Sequence, residues 1–219
     1  MRRIIGALVL LSSAPALAQQ PPVSTVSPVS APAPPSAAAA LIAAASAPDL
    51  FEALPSDTQV VVRHSRSGLT CRMHSSWRNR IMIFPDAARG EDVACESTNG
   101  SANIRLYATR YSFRTTLDQQ INGAIAVIRQ TSPDARDYTP TIAQAFPGLP
   151  ATRTADFLLT RASNHAQMYS HVSVAMVSGW VYVLRYSAPA ADAAAAHQAE
   201  IAAHALWQDT LGEVASGRL

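Results

Sequence analysis

The sequence predicts an α+β fold, an antiparallel sheet flanked by helices, on three observations. Its patterned segments run strands, helix, strands, helix, an order best met by helices covering an antiparallel sheet. Two late segments, VSVAMV (172–177) and WVYVL (180–184), are apolar at nearly every position. Strands of that kind belong in mid-sheet with both faces covered. Between the two strand groups, Leu117, Ile121, Ala124, Ile125 and Ile128 recur at spacings of three and four, the apolar stripe of a helix.

Taken in chain order, Gln59 to Arg63 (QVVVR) reads as a strand, followed by a Ser67-Gly68 turn and a short strand from Leu69 to Met73. Arg80 to Phe84 (RIMIF) is an apolar strand stopped by Pro85. Val93 to Ser97 and Asn103 to Tyr111 flank Asn99-Gly100, a dipeptide suited to a type I′ turn because both positions need positive φ. In the second of these strands Ile104, Leu106 and Ala108 alternate with Arg105, Tyr107 and Thr109, so one face is buried and the other wetter. Thr115 or Thr116, with Asp118 or Gln119 three residues on, offers a capping box for the helix, which Pro133 ends. Residues 134 to 152 form a loop broken by Pro140, Pro147 and Pro150. Strands are expected over Arg153 to Thr160, Gln167 to Val177 and Trp180 to Tyr186, the last two joined at Ser178-Gly179. Pro189 then opens an Ala-rich helix to about Val214, with Ile201, Ala205 and Leu211 toward the sheet.

This domain, about 49–219, is preceded by different chemistry. Residues 1–18 (MRRIIGALVLLSSAPALA) have the cationic start, short apolar run and Ala-x-Ala end of an export signal, with cleavage expected after Ala18. The apolar run is too short for a permanent anchor, so no stable membrane span is expected in the mature form. Residues 19–48, rich in Pro, Ala and Ser, read as a disordered leader and linker, of which Ser36 to Ala47 has high helix propensity. The expected location is the periplasm or the extracellular space. Losing Arg2 and Arg3 leaves fifteen arginines against fifteen acids, since the chain has no lysine. A neutral mature chain lacks the basic footprint of a nucleic-acid binder, so no nucleic acid is expected.

Cys71 and Cys95, the two cysteines, fall in separate expected strands, and an oxidising compartment favours a disulfide between them. A zinc reading would recruit them with His64 and His74, but Cys71-x-x-His74 has no second paired half. His197, Glu200 and His204 share a helical face and read as a solvated one, so no metal and no cofactor are expected. Neither a G-x-S-x-G elbow nor a Gly-rich phosphate loop occurs, and no catalytic residue can be named. From Arg63 to Arg80 there are five arginines (Arg63, Arg66, Arg72, Arg78, Arg80) and no acid, with Trp77 among them. Arginine forks onto carboxylate or phosphate, so these six residues are the candidate binding patch. Asp86, Glu91 and Asp92 lie near enough in sequence to neutralise it.

Gly68-Leu69-Thr70-Cys71-Arg72-Met73-His74-Ser75-Ser76-Trp77 resembles the opening strand of the PsbP-like proteins, which include bacterial envelope members of the DcrB type. The resemblance continues through the Asn99-Gly100 hairpin, the Thr116-Leu117-Asp118 helix start, Trp180-Val181-Tyr182 and Ser187-Ala188-Pro189, over about residues 60–215. His74 stands where relatives commonly place a proline. The resemblance implies an α-β-α sandwich on a central antiparallel sheet and a role in binding partners, with no shared catalytic constellation. The expectation is an exported, non-enzymatic accessory module that engages an envelope protein or an anionic envelope component. A small apolar-ligand carrier is the second reading, and a hydrolase with an unrecognised Ser/His site the third.

Overall fold

The computed structural model describes residues 36–143 and 145–217. The export signal and the leader up to residue 35 lie outside the described residues. Among the described residues the fold is α+β and mostly sheet, with three helices and two antiparallel sheets.

Ordered structure begins before the change in composition. Helix α1 (Ala37–Ala44) is capped by Ser36, whose hydroxyl accepts from the Ala39 N–H at 3.2 Å. Ala38, Ile42 and Ala47 are buried in the main core cluster. The linker expected up to residue 48 is therefore, from Ser36, part of the fold. Its weak intrinsic helicity is rescued by packing, as expected of a helix of about two turns.

A second difference is the presence of two sheets. Strands β1 (Phe51–Leu54), β2 (Gln59–His64) and β3 (Thr70–His74) form a separate three-stranded sheet in that order. The main sheet has seven strands: β4 (Arg78–Ile83), β5 (Asp92–Thr98), β6 (Asn103–Thr109), β7 (Arg136–Asp137), β8 (Thr152–Thr160), β9 (Gln167–Val177) and β10 (Trp180–Pro189). Their order is β4-β5-β6-β10-β9-β8-β7, which puts the two most apolar strands in the interior of the sheet.

Turn chemistry explains the hairpins. Ser178 and Gly179 both adopt positive φ (49° and 80°) and join β9 to β10 in a two-residue turn. The β5–β6 connection differs from the expected type I′ turn: Thr98 pairs with Asn103, leaving four loop residues, and only Gly100 has positive φ. The Asn99 side-chain oxygen accepts from the N–H groups of Ser101 and Ala102 at 2.9 and 2.7 Å, so it holds the turn by its carboxamide.

Helix α2 (Leu117–Thr131) starts with the expected capping box between Thr116 and Gln119, and buries Ile121, Ala124 and Ile128 against Phe157, Val172, Val174 and Val181. Helix α3 (Ala193–Ser216) is capped by Asp192, because Pro189 ends β10 instead of opening the helix. Its buried stripe is Ala196, Ala199, Ala203, Trp207, Leu211 and Val214. Ile201 and Ala205, expected inward, are exposed. Small alanines let the helix axis approach the sheet, and Trp207 is fully buried in the main core. Since α2 meets Val172 and Val174 while α3 meets Tyr169, Ala175 and Val177, the helices cover opposite faces.

Cys71 of β3 and Cys95 of β5 form a disulfide, with Cα atoms 6.3 Å apart. It joins the small sheet to the main one, on the α3 side. Close by, His64 is fully buried, with Nδ1 accepting from the Ser67 N–H at 3.3 Å. Burial, then the nearby Arg66 charge, lowers its pKa from 6.5 to about 4.

Two outcomes follow from this junction. The Cys71→Ala/Cys95→Ala protein should lose about 3 kcal/mol in urea denaturation, the loop-closure value for a separation of 24 residues. A loss below ~1 kcal/mol would show that the sheets hold together without the bond. For His64, the folded pKa is depressed, so its contribution is full above pH 6.5 and is lost as pH falls through about 4. The denaturation midpoint should drop across that window, and His64→Gln should flatten the slope there.

Candidate functional site

The arginines of the sequence cluster do not gather into one patch. Arg63 pairs with Glu52, Arg66 with Glu91 at 3.2 Å, Arg72 with Glu213 at 2.6 Å and Arg80 with Glu96 at 3.0 Å. Of the expected neutralising acids only Glu91 serves; the others are Glu52 and Glu96 of neighbouring strands and Glu213 of α3. Trp77 is half-buried, stacked on His74 with ring centroids 5.7 Å apart. Two hollows of about 490 and 530 Å³ lie beside the end of α3, both lined by Arg72 and Glu213, whose charges already compensate each other.

The four zinc candidates are likewise dispersed. The disulfide consumes both thiolates, His64 is buried against Ser67, and His74 is exposed beside Trp77. The helical trio also differs from a solvated face. Glu200 is 1% exposed and accepts from the Thr141 and Ile142 N–H groups at 2.7 and 2.9 Å. The Thr141 and Tyr138 hydroxyls add bonds of 2.6 and 3.2 Å. Burial alone would raise its pKa; these donors, led by the Thr141 hydroxyl, hold it below the ordinary glutamate range instead. Glu200 therefore latches the 138–142 segment onto α3. His204 stacks on Phe146 with centroids 4.5 Å apart.

A serine, a histidine and an acid do converge. His171 Nε2 lies 2.5 Å from Ser173 Oγ, and its Nδ1 lies 2.7 Å from Asp156 Oδ1. Tyr169 donates its hydroxyl to the same carboxylate oxygen, and burial followed by the Asp156 charge pushes its pKa upward. Ser173, His171 and Asp156 are 0%, 1% and 5% exposed, between the sheet and α3. This is a satisfied polar layer within the core, with its nucleophile facing protein.

The opposite face of the sheet differs. Helix α2 packs on β8 and β9, and the half formed by β4, β5, β6 and β10 lies beside it with half-buried side chains. The strand registers set three rungs there. Arg80, Glu96, Arg105 and Arg185 are successive cross-strand partners from β4 to β10. Met82, Ala94, Tyr107 and Val183 make the next rung on one side. Arg78, Thr98, Asn103 and Ser187 make the next on the other. Phe84 stacks on Tyr107 at 6.2 Å. Buried Glu96 accepts from both Arg80 and Arg105; burial opposes its charge, but the two arginines hold its pKa below the ordinary range. The Arg185 side chain has neither a hydrogen bond nor an ion pair among the described residues.

Two hollows share Arg185. One, of about 390 Å³, is lined by Phe84, Tyr107, Tyr111 and Val183, by Asp92 and Thr109, and from α2 by Gln120, Gly123, Ala124 and Val127. The other, of about 240 Å³, is lined by Asn103, Arg105, Thr131, Ser132, Ser170 and Ser187. Arg78 and Arg80 of the sequence patch thus stand at the edge of this groove, whereas Arg63, Arg66 and Arg72 belong to the other side of the molecule. Arg105 and Arg185 were missed because eighty positions separate them and only the register makes them neighbours. The available signal was Arg185 itself, a lone charge within an apolar strand.

No family model matches the chain, and no curated protein matches it. Among solved structures it is similar to that of PA94, a Pseudomonas aeruginosa protein of unknown function, with 11% identity. The match covers 69% of this chain and 95% of that one at a TM-score of 0.38, too slight to inform the reading of the groove.

Glu200→Ala should destabilise the fold by about 2–3 kcal/mol, because the Thr141 and Ile142 N–H groups lose their acceptor. Amide exchange at Thr141 and Ile142 should accelerate while that of β9 and β10 stays slow. Unchanged exchange at 141 and 142 would refute the latch.

Proposed function

We propose that this protein is an exported, PsbP-like accessory module of the bacterial envelope that binds its partner without transforming it. Its working surface is the groove between α2 and the open half of the main sheet. The observation supporting this is the asymmetric cover of the sheet. One face is closed by α3 and the small sheet, while on the other α2 packs on β8, β9 and Val181 of β10 and leaves β4, β5 and β6 beside it. A sheet face that retains Phe84, Tyr107 and Val183 half-exposed is a surface suited to a partner.

Binding is favoured over hydrolysis because the Ser173-His171-Asp156 set is sealed under α3, on the face away from the groove. Binding through the groove is also favoured over binding through Arg63, Arg66 and Arg72, whose charges are met by Glu52, Glu91 and Glu213. A carrier of wholly apolar ligands needs an enclosed apolar cavity. This groove is instead crossed by a charged rung. None of the described helices is long and apolar enough to cross a membrane.

Site-specific photo-crosslinking in intact cells tests the assignment, with a photoreactive residue at position 107 or, as control, at position 63. An adduct visible by intact-protein mass at 107, absent at 63 and lost when Gly123→Phe fills the groove, is the expected result. Adducts at 63 and none at 107 would move the site to the other face.

A further inference from the structure

We infer that the groove is a subsite for a small monoanionic amphiphile, with Arg185 taking the carboxylate-type head and the Phe84–Tyr107 floor taking the apolar arm. This deepens the binding role proposed above and rests on it.

The charged rung carries the argument. It holds three arginines and one carboxylate, and Glu96 is engaged by Arg80 and Arg105. Arg185 stands directly opposite Arg105 in the β6–β10 ladder, a like-charge pair that disfavours the sheet. No acid on the neighbouring elements pairs with it. Asp92, two rungs away, lines the same hollow and accepts the Thr109 hydroxyl at 2.8 Å without an ion pair to Arg185. The acid of α2, Asp118, pairs with Arg153 at 2.8 Å. The guanidinium is half-buried, and a planar fork of donors suits a carboxylate or phosphate oxygen pair. An anion from outside would supply the missing counter-charge.

The surroundings of Arg185 define the rest of the ligand. On one side lie the stacked Phe84 and Tyr107 with Val183, Ala124 and Val127. Gly123 on α2 leaves this side open, since a Cβ there would meet nothing within 4 Å. The other side offers hydroxyl and amide groups, from Asn103, Thr131 and Ser187. The apolar arm is matched better by the first side, where the aromatic pair lies, than by the second, which has Ile128 and Leu159 among its polar groups. The single guanidinium fork of the rung left without a carboxylate suits one anionic head.

The test uses three probes on the folded protein: 2-naphthoate, its neutral analogue 2-naphthalenemethanol, and acetate. Affinities come from calorimetry and location from amide chemical shifts. The expected result is that naphthoate binds at least roughly tenfold more tightly than either control, the worth of one charge-assisted contact. Its shifts should centre on Tyr107, Val183 and residues 123–127. Arg185→Gln should reduce naphthoate to the level of the alcohol, Gly123→Phe should abolish both, and Arg72→Gln should change neither. Thermal melts confirm that each variant folds. Equal binding of naphthoate and the alcohol, both blocked by Gly123→Phe, would overturn the anion subsite and leave the groove standing. Naphthoate binding that survives Gly123→Phe would overturn the groove itself, and no binding by any probe would overturn the inference. Cosedimentation with phosphatidylglycerol vesicles that Arg185→Gln abolishes would assign the same chemistry to a lipid headgroup, and its absence would assign a free small molecule.

Discussion

The register of the β9–β10 hairpin is the constraint on which the rest of the molecule depends. Ser178 and Gly179 make a two-residue turn with positive φ at both positions, and that geometry fixes which residues stand opposite each other along ten pairs. Because side chains alternate with a period of two, the turn decides at once which residues meet α3 and which meet α2. Tyr169, His171, Ser173, Ala175 and Val177 fall to one side; Val172, Val174 and Met176 fall to the other. A slip of β9 by one residue would carry His171 and Ser173 to the α2 face, away from α3.

The two helices then close the faces differently, and composition explains how. The inward stripe of α3 begins with alanines, so the helix approaches closely enough for Glu200 to be buried and to latch the 138–142 segment. The polar layer beneath it is fully engaged, which turns a cost of burial into a requirement for one seating of the helix. By contrast, α2 is only fifteen residues long and is held by the apolar cluster around Phe157, Val172 and Val174. It covers the strands that need cover. The strands beyond it carry arginine, threonine and tyrosine on that face, which tolerate water.

Local signals were legible in the sequence, and long-range ones were not. The capping box, the Ser178-Gly179 turn, the strand alternation and the disulfide all depend on neighbouring residues or on a pair with no competitor. The division into two sheets was not readable, because QVVVR and the 69–73 segment have the same pattern whichever strands they pair with. The first helix was read as linker since its stability comes from packing that no local propensity reveals. Ile201 was expected inside on hydrophobicity, but close packing selected Ala199 and Ala203 instead. At the site, the arginine excess is visible in the sequence, but sequence distance alone groups it wrongly. The chain folds that group apart, sending Arg63 and Arg72 to glutamates of other elements and Arg80 into a rung with partners from β5, β6 and β10.

The rung also shows why the open face is better understood as a site than as surplus surface. Arginine on a solvated strand face needs no explanation where a carboxylate sits across from it, as Glu96 does for both Arg80 and Arg105. Arg185 is different on three counts: it lies on an interior strand, it is half-buried, and its cross-strand partner is another arginine. A residue chosen only for the fold would be apolar there, as Val181 and Val183 are on the same strand and face, or would be an acid facing Arg105. Keeping a third arginine costs stability through repulsion and partial desolvation. That cost is offset when an anion enters between Arg185 and the aromatic floor, so the same charge that weakens the empty sheet strengthens the occupied one.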